Sequence, residues 1–140
     1  MTNFDDLLKK YRQQVLKALK HLQYSHDRVQ KLSTDMDQLS EAQLSDWESL
    51  AARFSRASDL FLSKYVRTSV LKGDPAFRGS LRDFLDQAEK QGLVESALEW
   101  MEIRETRNVS AHEYSEEKLA DHFEKVRKLA PKLLALEIKI

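Results

Sequence analysis

The densest run of polar and ionisable side chains in the sequence is Arg107-Asn108-Val109-Ser110-Ala111-His112-Glu113-Tyr114, with Arg104 one helical turn before it. An arginine presents a planar fork of donors that grips a phosphate, and a histidine, with a solution pKa near ~6.5, can take a proton at neutral pH. Together they are the minimum needed to cut RNA. The 2′-hydroxyl beside each phosphodiester is a built-in nucleophile, so a base at His112 and a cation at Arg107 to stabilise the crowded phosphorane suffice without a metal and leave a cyclic phosphate. On an unbroken helix the side chains at 107 and 112 would point about 140° apart. A shared site therefore requires the helix to end or bend between them. Asn108 and Ser110 suit that, because their side chains compete for backbone hydrogen bonds and are weak in helix interiors. Arg104 lies on nearly the same helical face as Arg107 and either widens a phosphate-binding surface or pairs with Glu102 and Glu105. Tyr114 can anchor the helix junction, with its ring packed and its hydroxyl bonded.

The elements that must position these residues are helices. Leu7, Leu8, Tyr11, Val15, Leu19 and Leu22 recur at three- and four-residue steps, predicting an amphipathic first helix running from Phe4 toward about Leu32. The polar stretch from Ser33 to Ser40 breaks the period. Ser40 with Gln43, and Ser45 with Glu48, fit the capping-box spacing, and Trp47, Leu50, Phe54, Phe61 and Tyr65 carry a second helix to near Leu71, where Lys72-Gly73-Asp74-Pro75 stops it. Ser80 caps a shorter helix that Gly92 ends in the left-handed conformation. A fourth helix runs through Leu98, Trp100, Met101 and Ile103. Ser115, Glu116 and Glu117 start the last one, with acids at the positive end of its dipole, and Pro131 is expected to kink or restart it. The expectation is an all-α protein, one domain over residues 1–140, folded as an antiparallel up-and-down bundle of about five helices.

Composition agrees and removes whole classes of function. Hydrophobic residues make up 41% and charged residues 33%, with Gly 3 and Pro 2, which disfavours a turn-rich β fold. Cys 0 eliminates thiol nucleophiles, disulfides and thiolate-held metals. His21 and His26 are five apart and fit no common helical metal pair, and His122 reads as a half-exposed polar position, so no metal is assigned. Gly73, Gly79 and Gly92 form no phosphate-cradling loop, so no nucleotide cofactor is expected to bind in that way. Trp47, Phe54, Phe61 and Tyr65 follow core periodicity and read as packing residues, while Lys9, Lys10, Arg12, Lys17 and Lys20 read as the solvated face of the first helix. No charge-free stretch could span a bilayer, and the start Met-Thr-Asn-Phe-Asp-Asp lacks a basic-then-apolar leader, so a cytoplasmic protein without membrane contact is expected. Lys+Arg 23 against Asp+Glu 23 leaves no whole-molecule field to draw in nucleic acid, so any RNA contact must be built locally.

The run from Arg107 to Tyr114 resembles the R-x4-H-x-Y motif of the HEPN superfamily, in the compact bacterial branch encoded beside a minimal nucleotidyltransferase. The resemblance implies a helical bundle that forms a homodimer with two motifs facing each other. It implies an RNase toxin of a toxin–antitoxin pair in which Arg107 and His112 are catalytic and Asn108 supports the phosphate or fixes the motif. Tyr114 is then the hydroxyl that the partner nucleotidyltransferase adenylylates (AMPylation) to silence the toxin, placing anionic phosphate over the cleft. Relatives with R-N-x-x-x-H-x-Y followed by an acid imply an alternative, and here Ser115-Glu116-Glu117 follows the Tyr. In that alternative the chain is the non-catalytic, nucleotide-binding subunit of a two-component nucleotidyltransferase, and Arg107 and His112 bind without cleaving. Both readings place RNA or a nucleotide on the same groove.

Overall fold

The computed structural model of the protein describes residues 3–108 and 116–140. Helix α1 spans Phe4–Val29, with the Asn3 side chain accepting from the Asp6 amide at 3.1 Å and Asp5 and Asp6 in its first turn, where they meet the positive end of the dipole. Its stripe of Val15, Ala18, Leu19, Leu22 and Val29 is buried. The helix stops three residues short of Leu32, and the polar stretch after it holds a single 3-10 turn, Met36–Gln38, started by Asp35 accepting from the Asp37 amide.

Helix α2 spans Glu41–Asp59 and opens on a capping box between Ser40 and Gln43. It runs without a break through a π-helical stretch, Leu60–Val66, into α3, Arg67–Gly73. Along α1 this long helix lies antiparallel: Arg28 meets Asp46 at 2.9 Å, Arg53 donates to Ser25 at 2.8 Å, and Asp5 pairs with Lys72 at 2.5 Å. Helix α4, Leu81–Lys90, begins on a second capping box, between Ser80 and Asp83. It ends on Gly92, which has φ 77°. There the Leu93 amide donates to the Ala88 carbonyl and the Gly92 amide to that of Glu89, the paired bonds of a Schellman stop. Helices α5, Ala97–Asn108, and α6, Glu116–Leu134, pack against α2, and α7, Leu136–Lys139, closes the chain. Counting segments that run into one another as one, the described residues form five helices and no strand. None of these helices is long and apolar enough to cross a membrane.

The buried side chains form one cluster centred on Trp47, Phe54, Phe61 and Phe123, with Trp47 stacked on Phe123 at 5.4 Å between centroids. Pro131 lies inside α6, and the restart expected near it comes after Leu134. A proline in a helix interior leaves the carbonyl four residues earlier without its donor. That carbonyl belongs to Arg127, and His26 Nε2 on α1 donates to it at 3.1 Å. The chain turns out of the helix only at Ala135, after one more turn. His122 also differs from its expected half-exposure: it is 9% exposed, with its ring tilted beside Phe123, because its face of α6 turns into the bundle.

Candidate functional site

The end of α2 and the last two turns of α5 meet at one carboxylate. Arg107 Nε donates to Asp59 Oδ1 at 2.6 Å and its Nη2 to Oδ2 at 2.7 Å, a fork-on-fork pair, while Arg104 Nη1 donates to Oδ1 at 3.1 Å. Arg104 and Arg107 point to one side because they stand one turn apart, with Trp100, Ile103 and Thr106 buried on the adjoining face. Below the cluster Phe61 packs on Trp100 with centroids 4.6 Å apart, so the two backbones that carry the charges are held by core packing. The Thr106 hydroxyl donates to the Glu102 carbonyl at 2.9 Å within α5.

Two guanidinium groups on one carboxylate leave a net charge of about +1, and the three side chains are 29–36% exposed, open enough to be reached by a ligand. Hydrogen bonding to Asp59 raises the pKa of Arg107 above its ordinary value, partial burial opposes this, and the Asp59 charge adds to it. Arg107 is therefore a fixed cation. Bidentate pairing sets the plane of its guanidinium, and among the described residues its Nη1 has no partner. A phosphate oxygen arriving there would meet a donor already oriented, the condition under which a cation stabilises developing charge most effectively.

Asp59 sits where α2 passes into the π stretch, a kind of helical irregularity common at functional sites. The preceding residue, Ser58, is fully buried and its Oγ has no hydrogen-bond partner among the described residues. Asn108 is exposed at the last position of α5. His112 and Tyr114, with Ser110 between the helices, lie outside the described residues. The structure thus brings Arg104 and Arg107 together through Asp59. The expected neighbours of Arg104 are not its partners: Glu102 faces Lys125 across α6 at 4.0 Å. Among the described residues no three His, Asp or Glu side chains gather as a metal-holding set.

Asp59 escapes a motif search because it lies 48 positions from Arg107. One signal was present. Between Glu48 and Asp74 it is the only acid, in a stretch that carries Arg53, Arg56, Lys64, Arg67 and Lys72. A lone carboxylate beside the core residues Ala57 and Phe61 is a candidate for a specific ion pair. Comparison with known protein families, curated proteins and solved structures finds no match.

Proposed function

We propose that the chain is a HEPN-type ribonuclease toxin that works without a metal, with Arg107 stabilising the phosphate, Arg104 and Asn108 supporting its binding, and His112 as general base. The observation that carries this reading is the Asp59 clamp, which orients the motif arginine at a partly exposed position with no partner on Nη1 among the described residues. In the reaction His112 takes the proton of a 2′-hydroxyl, the oxygen forms a bond to phosphorus, and the bond to the 5′-oxygen breaks. That oxygen takes a proton from water as it leaves, His112 gives its own to solvent, and the products are a 2′,3′-cyclic phosphate and a 5′-hydroxyl. Arg107 acts on the charge that builds on the non-bridging oxygens.

In this reading the bundle pairs as a cytoplasmic homodimer with both motifs on one cleft, so that two Arg104/Arg107 sets give a neutral chain a locally basic surface. A minimal nucleotidyltransferase is the partner, and adenylylation of Tyr114 adds negative charge at the cleft and blocks RNA. The test is incubation of purified protein with RNA in excess chelator. The parent is expected to cut and leave cyclic phosphate ends, and His112→Ala to leave RNA intact. Equal cutting by both removes the assignment of His112. Binding of RNA or nucleotide with no cutting by the parent replaces this proposal with the nucleotidyltransferase binding subunit.

A further inference from the structure

A second cationic surface lies further along the long helix, built from different residues. A groove of about 510 Å³, within the range of small-ligand sites, opens between the start of α1, the π stretch with α3, and the loop before α4. Lys64, Arg67 and Arg78 line it, and no Asp or Glu does. Among the described residues none of these three cations is in an ion pair. Of the carboxylates that flank the lining in sequence, Asp5 is engaged by Lys72 and Asp83 by the backbone and hydroxyl of Ser80.

The π stretch explains how the helix supplies two of the cations. With each amide bonding five residues back, positions four and five apart share a face, so Ser63, Arg67 and Thr68 come to one wall with Lys64 beside them. Arg78 is held by its own loop, donating to the Pro75 and Phe77 carbonyls at 3.3 and 2.7 Å. Arg67 lies over the Phe84 ring at 5.0 Å, and Phe84 in turn meets Phe77 edge-on at 4.9 Å. Half-buried rings of Phe4, Tyr11 and Phe77 complete the groove.

Three like charges without carboxylates repel one another until an anion neutralises them, and flat aromatic walls beside them favour a planar ring. We infer that this groove binds a nucleotide, its phosphate on Lys64, Arg67 and Arg78 and its base against Tyr11 and Phe77. The source is either a free nucleotide or one unit of a single-stranded RNA. The inference stands apart from the Asp59 clamp and survives failure of the cleavage reading.

Titration calorimetry on the full chain at low salt tests it, using AMP, adenosine, inorganic phosphate, an acidic peptide and a 2′-O-methyl oligoadenylate of about ten nucleotides, which lacks the attacking hydroxyl. AMP is expected to bind at least about tenfold more tightly than adenosine or phosphate alone, and the double variant Arg67→Gln/Arg78→Gln to lose at least about tenfold while its melting temperature stays within a few degrees of the parent. Tyr11→Leu, which keeps an apolar wall, should weaken AMP and leave phosphate binding as it was. An oligonucleotide bound more tightly than AMP identifies a strand as the source, and equal affinity identifies a free nucleotide. Four results overturn the proposal. These are no binding of AMP or oligonucleotide at millimolar concentration, phosphate or the acidic peptide binding as well as AMP, affinity unchanged in the double variant, or affinity lost in Arg107→Ala but not in the double variant.

Discussion

Arg127 on α6 donates from Nη1 to the carbonyls of Val29 and Leu32, each at 3.0 Å, and its guanidinium lies 4.9 Å from the Trp47 ring centroid. Arg107 on α5 gives two donors to a single half-exposed carboxylate, and among the described residues nothing takes its Nη1. The first arginine adds a charged donor to two carbonyls at the end of α1, closing a junction that His26 also closes from the other direction by supplying the donor that Pro131 lacks. Arg127 spends Nη1 on backbone there, while its Nη2 donates to the Glu124 carboxylate at 2.5 Å. At the Asp59 end, by contrast, polar capacity is left over among the described residues: the Nη1 of Arg107, a second arginine and the buried hydroxyl of Ser58. Residue type does not separate a framework arginine from a ligand-binding one. What separates them is whether the donors end on backbone carbonyls inside the bundle or face solvent with capacity to spare.

Four experiments would break or sharpen this contrast. The largest effect is expected at the open end: Arg107→Lys keeps the charge but loses the fork, and RNA cleavage should fall by about 100-fold or more while unfolding free energy moves by less than about 1 kcal/mol. A large stability loss in urea with activity retained would reverse the roles of the two arginines. Next, Arg127→Met should destabilise the fold by about 1–3 kcal/mol, because the part-buried carbonyls of Val29 and Leu32 lose a charged donor. An unchanged denaturation midpoint would show that α1 ends without help. Third, Ser58→Ala removes a hydroxyl that has been desolvated without a partner and should leave stability equal or raise it by up to about 1 kcal/mol. A clear loss would place an unseen partner on Oγ.

The smallest effect concerns pH. Burial foremost, and then the nearby Lys125 charge, hold the His122 pKa below its usual 6.5. Between the depressed folded value and 6.5 the unfolded chain binds more protons than the folded one, so this contribution is fully present above the unfolded value and is lost as pH falls below it. The melting temperature should therefore decline more steeply below that pH in the parent than in His122→Gln. Parallel pH profiles would mean that His122 titrates as it does in the unfolded chain.

The helices were legible because their signals are local. Ser40 with Gln43, Ser80 before α4 and Gly92 after it act on backbone groups within four residues, and each does in the structure what its spacing announces. What Pro131 does is not local in this way. Its local chemistry is unfavourable, and the compensating donor lies 101 positions away from Arg127 on α1. The candidate site divides along this line. Arg104, Arg107, Asn108, His112 and Tyr114 stand out by type and spacing, whereas Asp59 is marked only as a lone acid in a basic stretch, and nothing near it in sequence names the two arginines it orients.

The sequence alone determined that the chain is helical, the starts at Ser40 and Ser80 and the stop at Gly92, most of the buried stripes, and that a guanidinium and an imidazole stand five positions apart beside a tyrosine. Only the tertiary structure decided which arginine would be consumed by backbone and which would face solvent on Asp59, and that a π turn and a loop would pool three cations around aromatic walls. Capping and periodicity are short-range and can be read along the chain. An ion pair across 48 positions exists only once packing has brought two helices side by side.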